Sequence, residues 1–351
     1  MTHDPRVHEW EAARTHPATY PGRTPPGDYL ILDDRVLPVV FTDHDDVTSA
    51  ASVHDGRRTA LDAELRGRGL PGVAERTPVV AYGGNRNPAT LALKLRHYDY
   101  AARDGGVALP VLRGRLRDAD TVAAGVSGQG YLYADLVLLQ PDVCADALEV
   151  WVALVDDDQL RVLHESEGVD EQWYHVARID DLELDAVRGR FHGLAYVTDL
   201  ACPLLPTTGA PLAFSSVPAQ GRRLEEATPV EMLRRFIDEH GIRPAVARIT
   251  GLPDSDALAG ELIKYLNGQW WYQRHTGERA IPQYYEVIDA LTTALRTTVR
   301  HFDVVARLRR AGRILEGERR HAPGLTLTAS AWSHADVATD TPPVDASRPH
   351  V

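Results

Sequence analysis

Lysine and cysteine are scarce in this chain, which has two lysines, Lys94 and Lys264, and two cysteines, Cys144 and Cys202. Two cysteines cannot form the disulfide framework that stabilises small secreted domains. Basic residues are outnumbered as a class, with 38 Lys and Arg against 50 Asp and Glu and a formal net charge of -12. A general nucleic-acid surface needs a basic balance or a basic face, so no nucleic-acid partner is expected.

Long apolar runs are missing as well. No stretch approaches the ~20 apolar residues of a membrane-spanning helix, so no membrane partner is expected. The segment Met1–Arg23 is polar and rich in His, Arg and Pro, and it lacks the apolar centre of a secretory signal peptide. On these grounds we expect a cytoplasmic location.

The composition is otherwise that of an ordinary globular protein, with 44% hydrophobic and 25% charged residues. A chain of 351 residues exceeds one ordinary domain, so a main domain with additions is expected. Breaks in the apolar pattern divide the chain into four predicted regions. They are an N-terminal arm with a hairpin and helix extension (1–76), a central domain (77–245), a helical addition (246–316) and a disordered tail (317–351).

Local signals place three helices in the central region. Asn87-Pro88 supplies an N-cap and a first-turn proline. Thr228-Pro229-Val230-Glu231 has the pattern of a capping box. The third helix is predicted over Asp157–Ser166. With the apolar runs between them, the order becomes strand, helix, several strands, helix, strands, helix. That order predicts an α+β domain with a mixed sheet or barrel and flanking helices.

The regions outside this domain differ from each other. Met1–Gly27 carries several prolines and little apolar periodicity, which predicts a loosely ordered arm. Ser255–Tyr272 and Pro282–Leu315 show helical periodicity. We expect these two helices to pack on each other or on the core through the leucines of their apolar faces. These leucines are Leu262, Leu266, Leu291 and Leu295.

The first motif that could carry chemistry is Tyr82-Gly83-Gly84-Asn85, between an apolar run and a helix start. Glycines let backbone N–H groups converge on one point, because no Cβ blocks a close approach. Near a helix N-terminus such a turn can hold a carboxylate or a developing oxyanion. A plain strand-to-helix turn would have the same sequence, so this motif alone leaves both interpretations open.

The second motif is Leu163-His164-Glu165-Ser166-Glu167-Gly168-Val169. A helix is predicted to end at Glu167, with Gly168 in the position that follows a helix C-cap. The helix dipole disfavours a carboxylate at this end, and proton transfer is one reason to place it there. A solvated glutamate is the alternative interpretation.

Together the two motifs resemble the gamma-glutamylcyclotransferase family. Its members carry a Tyr-Gly-Ser-Asn-like loop after the first strand, and later Leu-Asp-x-x-Glu-Gly-Val with a tyrosine seven residues beyond the glutamate. Here Tyr174 stands at that spacing from Glu167. The resemblance runs over roughly residues 79–241, about half of the chain. It includes the segments Gln129–Pro141, Val150–Val155, Ala195–Val197 and Pro211–Gly241.

The resemblance implies a gamma-glutamylcyclotransferase-like α+β fold and an enzyme that releases 5-oxoproline from a gamma-glutamyl amide or amine. The catalytic base would be Glu167, and the partner would be a small gamma-glutamyl molecule, without a metal or cofactor. The implied substrate-binding residues are Tyr82, Gly83, Gly84, Asn85, Tyr174 and Tyr196. The length of the chain favours a specialised role, such as a deprotection step in a biosynthetic pathway.

Three departures from the family pattern bear on the substrate. Gly84 replaces a serine, so a hydroxyl donor is missing from the loop, and His164 replaces the aspartate of the Leu-Asp pair. Val152 stands where the family often has glycine; with its neighbour Trp151, it is expected to narrow or reshape the pocket. Amide hydrolysis or another acyl transfer on the same fold therefore stays open, as does a non-catalytic binding or scaffold protein.

Two further clusters are given structural interpretations. The acidic run Asp43–Asp46 is read as a solvated loop, because consecutive residues rarely converge on one metal ion. The aromatic cluster Gln269–Tyr272 is read as core packing or a subunit interface rather than a ligand site. The helical addition could in that case support a homo-oligomer.

Overall fold

The computed structural model describes residues 5–10, 15–97, 106–140, 142–198, 205–297 and 304–320. The strands in these ranges are β1 (Tyr29–Leu32), β2 (Arg35–Phe41), β3 (Ala50–His54), β4 (Arg57–Ala60), β5 (Thr77–Ala81), β6 (Ala108–Val126), β7 (Leu132–Leu138), β8 (Ala145–Val155), β9 (His175–Leu184), β10 (Arg190–Val197), β11 (Ala213–Phe214), β12 (Ala219–Gln220), β13 (Glu226–Ala227) and β14 (Ile314–Leu315). The helices are α1 (Leu61–Gly67), α2 (Pro88–His97), α3 (Asp157–Ser166), α4 (Pro229–Glu239), α5 (Arg243–Thr250), α6 (Leu258–Thr276), α7 (Pro282–Thr297) and α8 (Val304–Arg310).

Five strands close into a barrel. Around the ring, β6 pairs with β8, β8 with β5, β5 with β10, β10 with β9, and β9 again with β6. The pairing of β5 with β10 is parallel and the other four are antiparallel. Because β6 is 19 residues long, it also pairs with β1 and β7 outside the ring. The fold is therefore α+β, with a mixed barrel and sheet, flanking helices and a helical C-terminal addition, as predicted.

The helix starts follow the sequence signals. The Asn87 side chain accepts the Thr90 N–H at 2.9 Å, which caps α2. Asp156 caps α3 with a capping box, and Thr228 does the same for α4. α3 ends at Ser166, so Glu167 is its C-cap, and Gly168 follows with a φ of +63°. Local chemistry thus fixes the end of α3, which carries the candidate base.

The C-terminal helices pack onto the core as expected. Leu262, Leu266 and Leu291 are fully buried in the same apolar cluster as the barrel residue Leu112, while Leu295 is partly buried against it. The predicted single helix over Pro282–Leu315 is wrong at its end, because Ile314–Leu315 forms β14 and pairs with β9. α5 is an additional helix that periodicity did not indicate.

The predicted loose arm is wrong for the part that the structure describes. Pro17 and Tyr20 are buried, and the Tyr20 ring stacks on Tyr131 with centroids 4.7 Å apart. The segment is ordered because an aromatic side chain anchors it in the core, which proline content alone could not reveal. The region boundaries at 76, 245 and 316 stay predictions, and Cys202 and residues 321–351 of the predicted tail lie outside the described residues.

Among the helices of the described ranges, none combines the length and the apolar character needed to cross a bilayer.

Candidate active site

Glu167 lies in the wall of a cavity of about 710 Å³. The Asn85 Nδ2 donates a hydrogen bond to Glu167 Oε1 at 2.7 Å, although the two residues are 82 positions apart. The Lys94 ammonium donates to the same oxygen and forms an ion pair with it. The side chains of Lys94 and Glu167 are only 6% and 14% exposed. The expected proximity of Glu167 and the 82–85 loop is therefore found, and a buried cation joins them.

The loop itself forms a short 3₁₀ turn over Gly84–Arg86, and its Gly84 N–H acts to lower the pKa of the Tyr20 hydroxyl, against the larger effect of burial. The Tyr20 hydroxyl oxygen accepts the Ala134 N–H at 3.0 Å. A tyrosine hydroxyl has two acceptor lone pairs and one proton. Since the Ala134 N–H takes one lone pair, the Tyr20 O–H keeps its proton for donation, and Tyr20 lines the cavity.

Glycine is needed at one position of this loop more than at the other. A Cβ on Gly83 would lie 2.7 Å from the Tyr20 hydroxyl oxygen, closer than real Cβ contacts. A Cβ on Gly84 would meet its nearest neighbours at 3.7 Å, which is ordinary van der Waals contact. The absence of the family's serine at Gly84 thus leaves room in the cavity wall and does not reflect a steric requirement.

The three predicted tyrosines lie at the cavity with different partners. The Tyr82 hydroxyl donates to the Tyr196 carbonyl oxygen and lies 3.3 Å from Asp135 Oδ1. The Tyr196 hydroxyl lies 2.9 Å from His164 Nδ1, and His164 Nε2 lies 2.7 Å from the Arg320 carbonyl oxygen. His164 therefore links the barrel wall to the C-terminal segment. Tyr174 lines the cavity beside Tyr133, with centroids 6.5 Å apart.

The environment keeps these phenols protonated. Burial raises the pKa of Tyr174 and of Tyr196 well above 10.0, and the charge of Glu167 is the next cause for both. Burial also raises the pKa of Tyr20 and of Tyr82; the Asp135 carboxylate is the next cause for Tyr82, and the Glu167 carboxylate adds to both. At neutral pH the tyrosines thus present neutral hydroxyl groups around the carboxylates of Glu167 and Asp135.

Several cavity residues were missed by sequence reasoning. They are Tyr20, Lys94, Tyr131, Tyr133, Trp173, Trp270 and Arg274. Lys94 could have been found, because it lies between Leu91 and Leu95 on the apolar face of a helix in a chain with two lysines. Trp270 belongs to the aromatic cluster at Gln269–Tyr272, for which the sequence predicts core packing or a subunit interface, and it lines the cavity.

The expected effect of Trp151 and Val152 on the pocket is also wrong. Trp151 is 1% exposed and packs against Tyr29 with ring centroids 5.4 Å apart. Val152 faces the barrel interior and is fully buried in the apolar core. Neither residue lines the cavity. On β8 the two side chains point to opposite faces of the strand, so each packs in a separate apolar cluster.

Within the described part of the chain, no group of three or more His, Cys, Asp or Glu side chains is placed to hold a metal ion. In the acidic run Asp43–Asp46, Asp46 accepts the Thr48 N–H at 2.8 Å and Asp45 pairs with Arg188 at 3.0 Å. Asp46 therefore stabilises its own loop, and Asp45 joins this loop to the segment between β9 and β10.

No protein-family model and no curated protein matches the chain. Among solved structures, a gamma-glutamyl cyclotransferase is matched at 14% identity and a TM-score of 0.26, over 62% of this chain and 99% of that one. An uncharacterized protein from Homo sapiens is matched at 15% identity and the same TM-score of 0.26, over 61% of this chain and 99% of that one. At a TM-score of 0.26, these matches carry nothing about the reaction or the substrate.

Proposed function

We propose that the protein is an enzyme that converts a gamma-glutamyl amide or amine into 5-oxoproline and a free amine, with Glu167 as the base. One observation carries the proposal. The Glu167 carboxylate lies in a cavity wall and contacts the loop that contains Asn85, at 2.7 Å. A carboxylate at a helix C-terminus, held by two donors and facing a cavity, suits proton transfer better than a solvated helix end does.

The reaction needs one base and one pre-organised chain. The α-amine of the gamma-glutamyl group attacks the γ-carbonyl carbon, and a C–N bond forms that closes a five-membered ring. Glu167 accepts the proton that the attacking amine loses. The original amide C–N bond then breaks, and the same proton passes from Glu167 to the leaving nitrogen. Because the attack is intramolecular, holding the substrate folded lowers much of the barrier.

Lys94 and Asn85 give Glu167 its orientation. Both donate to Oε1, so the carboxylate is held in one orientation in the cavity wall. Lys94 is therefore a positioning residue in this proposal.

Tyr20 is suited to stabilise the negative charge that develops on the carbonyl oxygen. Its hydroxyl oxygen accepts the Ala134 N–H at 3.0 Å, and its own proton can be donated to a substrate oxygen in the cavity that it lines. Donors that are fixed before the reaction contribute strongly to such catalysis. A specialised deprotection step remains compatible with this chemistry.

The test uses purified protein and a panel of gamma-glutamyl amides, with release of 5-oxoproline and amine followed by mass spectrometry. Glu167→Gln should lower turnover about 100- to 10,000-fold while substrate affinity changes much less, because the proton acceptor alone is removed. The matched control is Glu165→Gln, an exposed glutamate on the same helix, which should leave turnover unchanged.

Other outcomes separate the alternatives. Release of free glutamate instead of 5-oxoproline would assign amide hydrolysis to the same site. An unchanged rate in Glu167→Gln would remove Glu167 as the base. Absence of turnover across the panel would contradict the proposed reaction and favour a binding or scaffold protein.

A further inference from the structure

The helical addition forms part of the cavity. α6 contributes Trp270 and Arg274 to the lining, together with the turn Ser127–Gln129 between β6 and β7. Trp270 is half-buried and Arg274 is exposed, so these side chains lie where the cavity opens to solvent. The Arg274 guanidinium carbon lies 5.2 Å from the centroid of the Trp270 ring, within the range of a cation–π contact.

The position of Trp270 is fixed by the β6–β7 turn. A Cβ on Gly128 would lie 3.2 Å from Trp270 Cδ1, so the glycine allows the ring to pack directly on the turn. The Gln129 Nε2 donates to Asn267 Oδ1 at 2.9 Å, and the Tyr284 hydroxyl donates to the Gly128 carbonyl oxygen at 2.8 Å. The first contact holds α6 against the turn and the second holds α7 there, so the Trp270 ring is a pre-organised surface.

The remaining walls of the cavity are also rich in aromatic side chains. Aromatic residues make up 7% of the chain, yet many of them line this one cavity. Beyond the tyrosines predicted from the sequence, they are Tyr20, Tyr131, Tyr133, Trp173 and Trp270. A volume of about 710 Å³ lies in the range of drug-sized ligands, roughly 300–1,000 Å³, and far exceeds the needs of a gamma-glutamyl group. Space with aromatic walls is left for the other half of the substrate.

We propose that this space is a leaving-group subsite, in which an aromatic ring on the leaving amine stacks against Trp270. The inference rests on the proposed function, because it assigns the glutamyl half of the substrate to Glu167 and the amine half to α6. Aromatic residues bind a planar ring through offset or edge-to-face contacts in addition to area burial. The helical addition then determines specificity.

The experiment compares two substrates of nearly equal size, gamma-glutamyl benzylamide and gamma-glutamyl cyclohexylmethylamide. The wild-type protein should prefer the aromatic substrate by about 3- to 10-fold in kcat/KM, the range expected for one aromatic contact. Trp270→Leu should reduce this ratio to about one, whereas Trp270→Phe should retain it. Tyr272→Leu, on the same helix but 44% exposed and outside the cavity, is the matched control and should not change the ratio.

The outcomes distinguish the subsite from the reaction. A wild-type ratio near one, or an unchanged ratio in Trp270→Leu, overturns the subsite while leaving the reaction in place. If neither substrate is turned over, calorimetry measures the binding of both amides. Tighter binding of the benzylamide than of the cyclohexylmethylamide, with the difference lost in Trp270→Leu, supports the subsite without the reaction. Equal binding overturns it. If Trp270→Leu does not fold, the wild-type ratio and Trp270→Phe remain decisive.

Discussion

Lys94 and Glu167 should show a large coupling free energy when the stability of the protein is measured in a double-mutant cycle. The two side chains are 6% and 14% exposed, which is close to a buried pair. Breaking a buried pair by removing one partner costs about 3–5 kcal/mol, whereas exposed pairs contribute about 0–1 kcal/mol. Because the pair borders a cavity that water can enter, an intermediate cost of about 2–3 kcal/mol is expected for Lys94→Met and for Glu167→Gln alone.

The double variant should be much more stable than the two single effects added together. Lys94→Met with Glu167→Gln removes both charges, so no uncompensated charge remains in the wall. The expected coupling free energy is about 2 kcal/mol. It is measured from urea unfolding of the wild type, both single variants and the double variant, followed by circular dichroism.

The other lysine of the chain supplies the matched control. Lys264 pairs with Glu261 at 2.8 Å, but these side chains are 74% and 46% exposed. A cycle of Lys264→Met and Glu261→Gln should give a coupling below about 0.5 kcal/mol. If the Lys94–Glu167 cycle is additive within that same margin, the cavity pair is solvated like a surface pair, and the argument from its burial is refuted.

Two further predictions concern Asp28 and the glycine loop. Burial is the main cause that raises the pKa of Asp28 from 3.8 to about 6, against the lowering effect of the Arg113 N–H bond. Since the pKa of Asp28 is higher in the folded state, the free energy of unfolding should fall as pH rises from about 4 to about 6. Asp28→Asn should remove on the order of 1–3 kcal/mol of that fall, measured by urea unfolding at both ends of this window. A variant with the same pH profile as the wild type would contradict the prediction. Gly83→Ala should lower the melting temperature and Gly84→Ala should not, because their added Cβ atoms would lie 2.7 Å and 3.7 Å from the nearest atoms of Tyr20 or its neighbours. Equal effects in thermal denaturation would show that the Tyr20 contact is not the constraint.

The features that sequence predicted are those with local causes. The starts of α2, α3 and α4 follow from capping groups within three residues of each helix start. The end of α3 follows from Gly168, which comes directly after the C-cap. The proximity of Glu167 to the 82–85 loop was predicted because the two motifs together resemble those of the gamma-glutamylcyclotransferase family. Their roles in catalysis stay predictions.

The features that sequence did not predict depend on contacts between distant segments. Tyr20 bonds to Ala134 over 114 positions, and Gly128 bonds to Tyr284 over 156 positions. No periodicity or capping pattern records such contacts, so the prolines predict a loose arm and the aromatic cluster on α6 predicts core packing or a subunit interface. The predicted effect of Trp151 on the pocket is wrong for the same reason, because barrel closure decides which face of β8 lies toward the interior.

The residues that line the cavity come from segments far apart in the sequence, and this has a thermodynamic consequence. Tyr20 lies near one end of the described chain and Trp270 on a C-terminal helix, and both line the cavity that holds Glu167. A ligand that fills the cavity therefore binds only when these segments are in place together, so its binding free energy is added to the stability of the whole fold. At one hundred times its Kd such a ligand raises the free energy of unfolding by about 2.7 kcal/mol. Thermal-shift screening of free amines against this protein can therefore identify the leaving group before any turnover is detected.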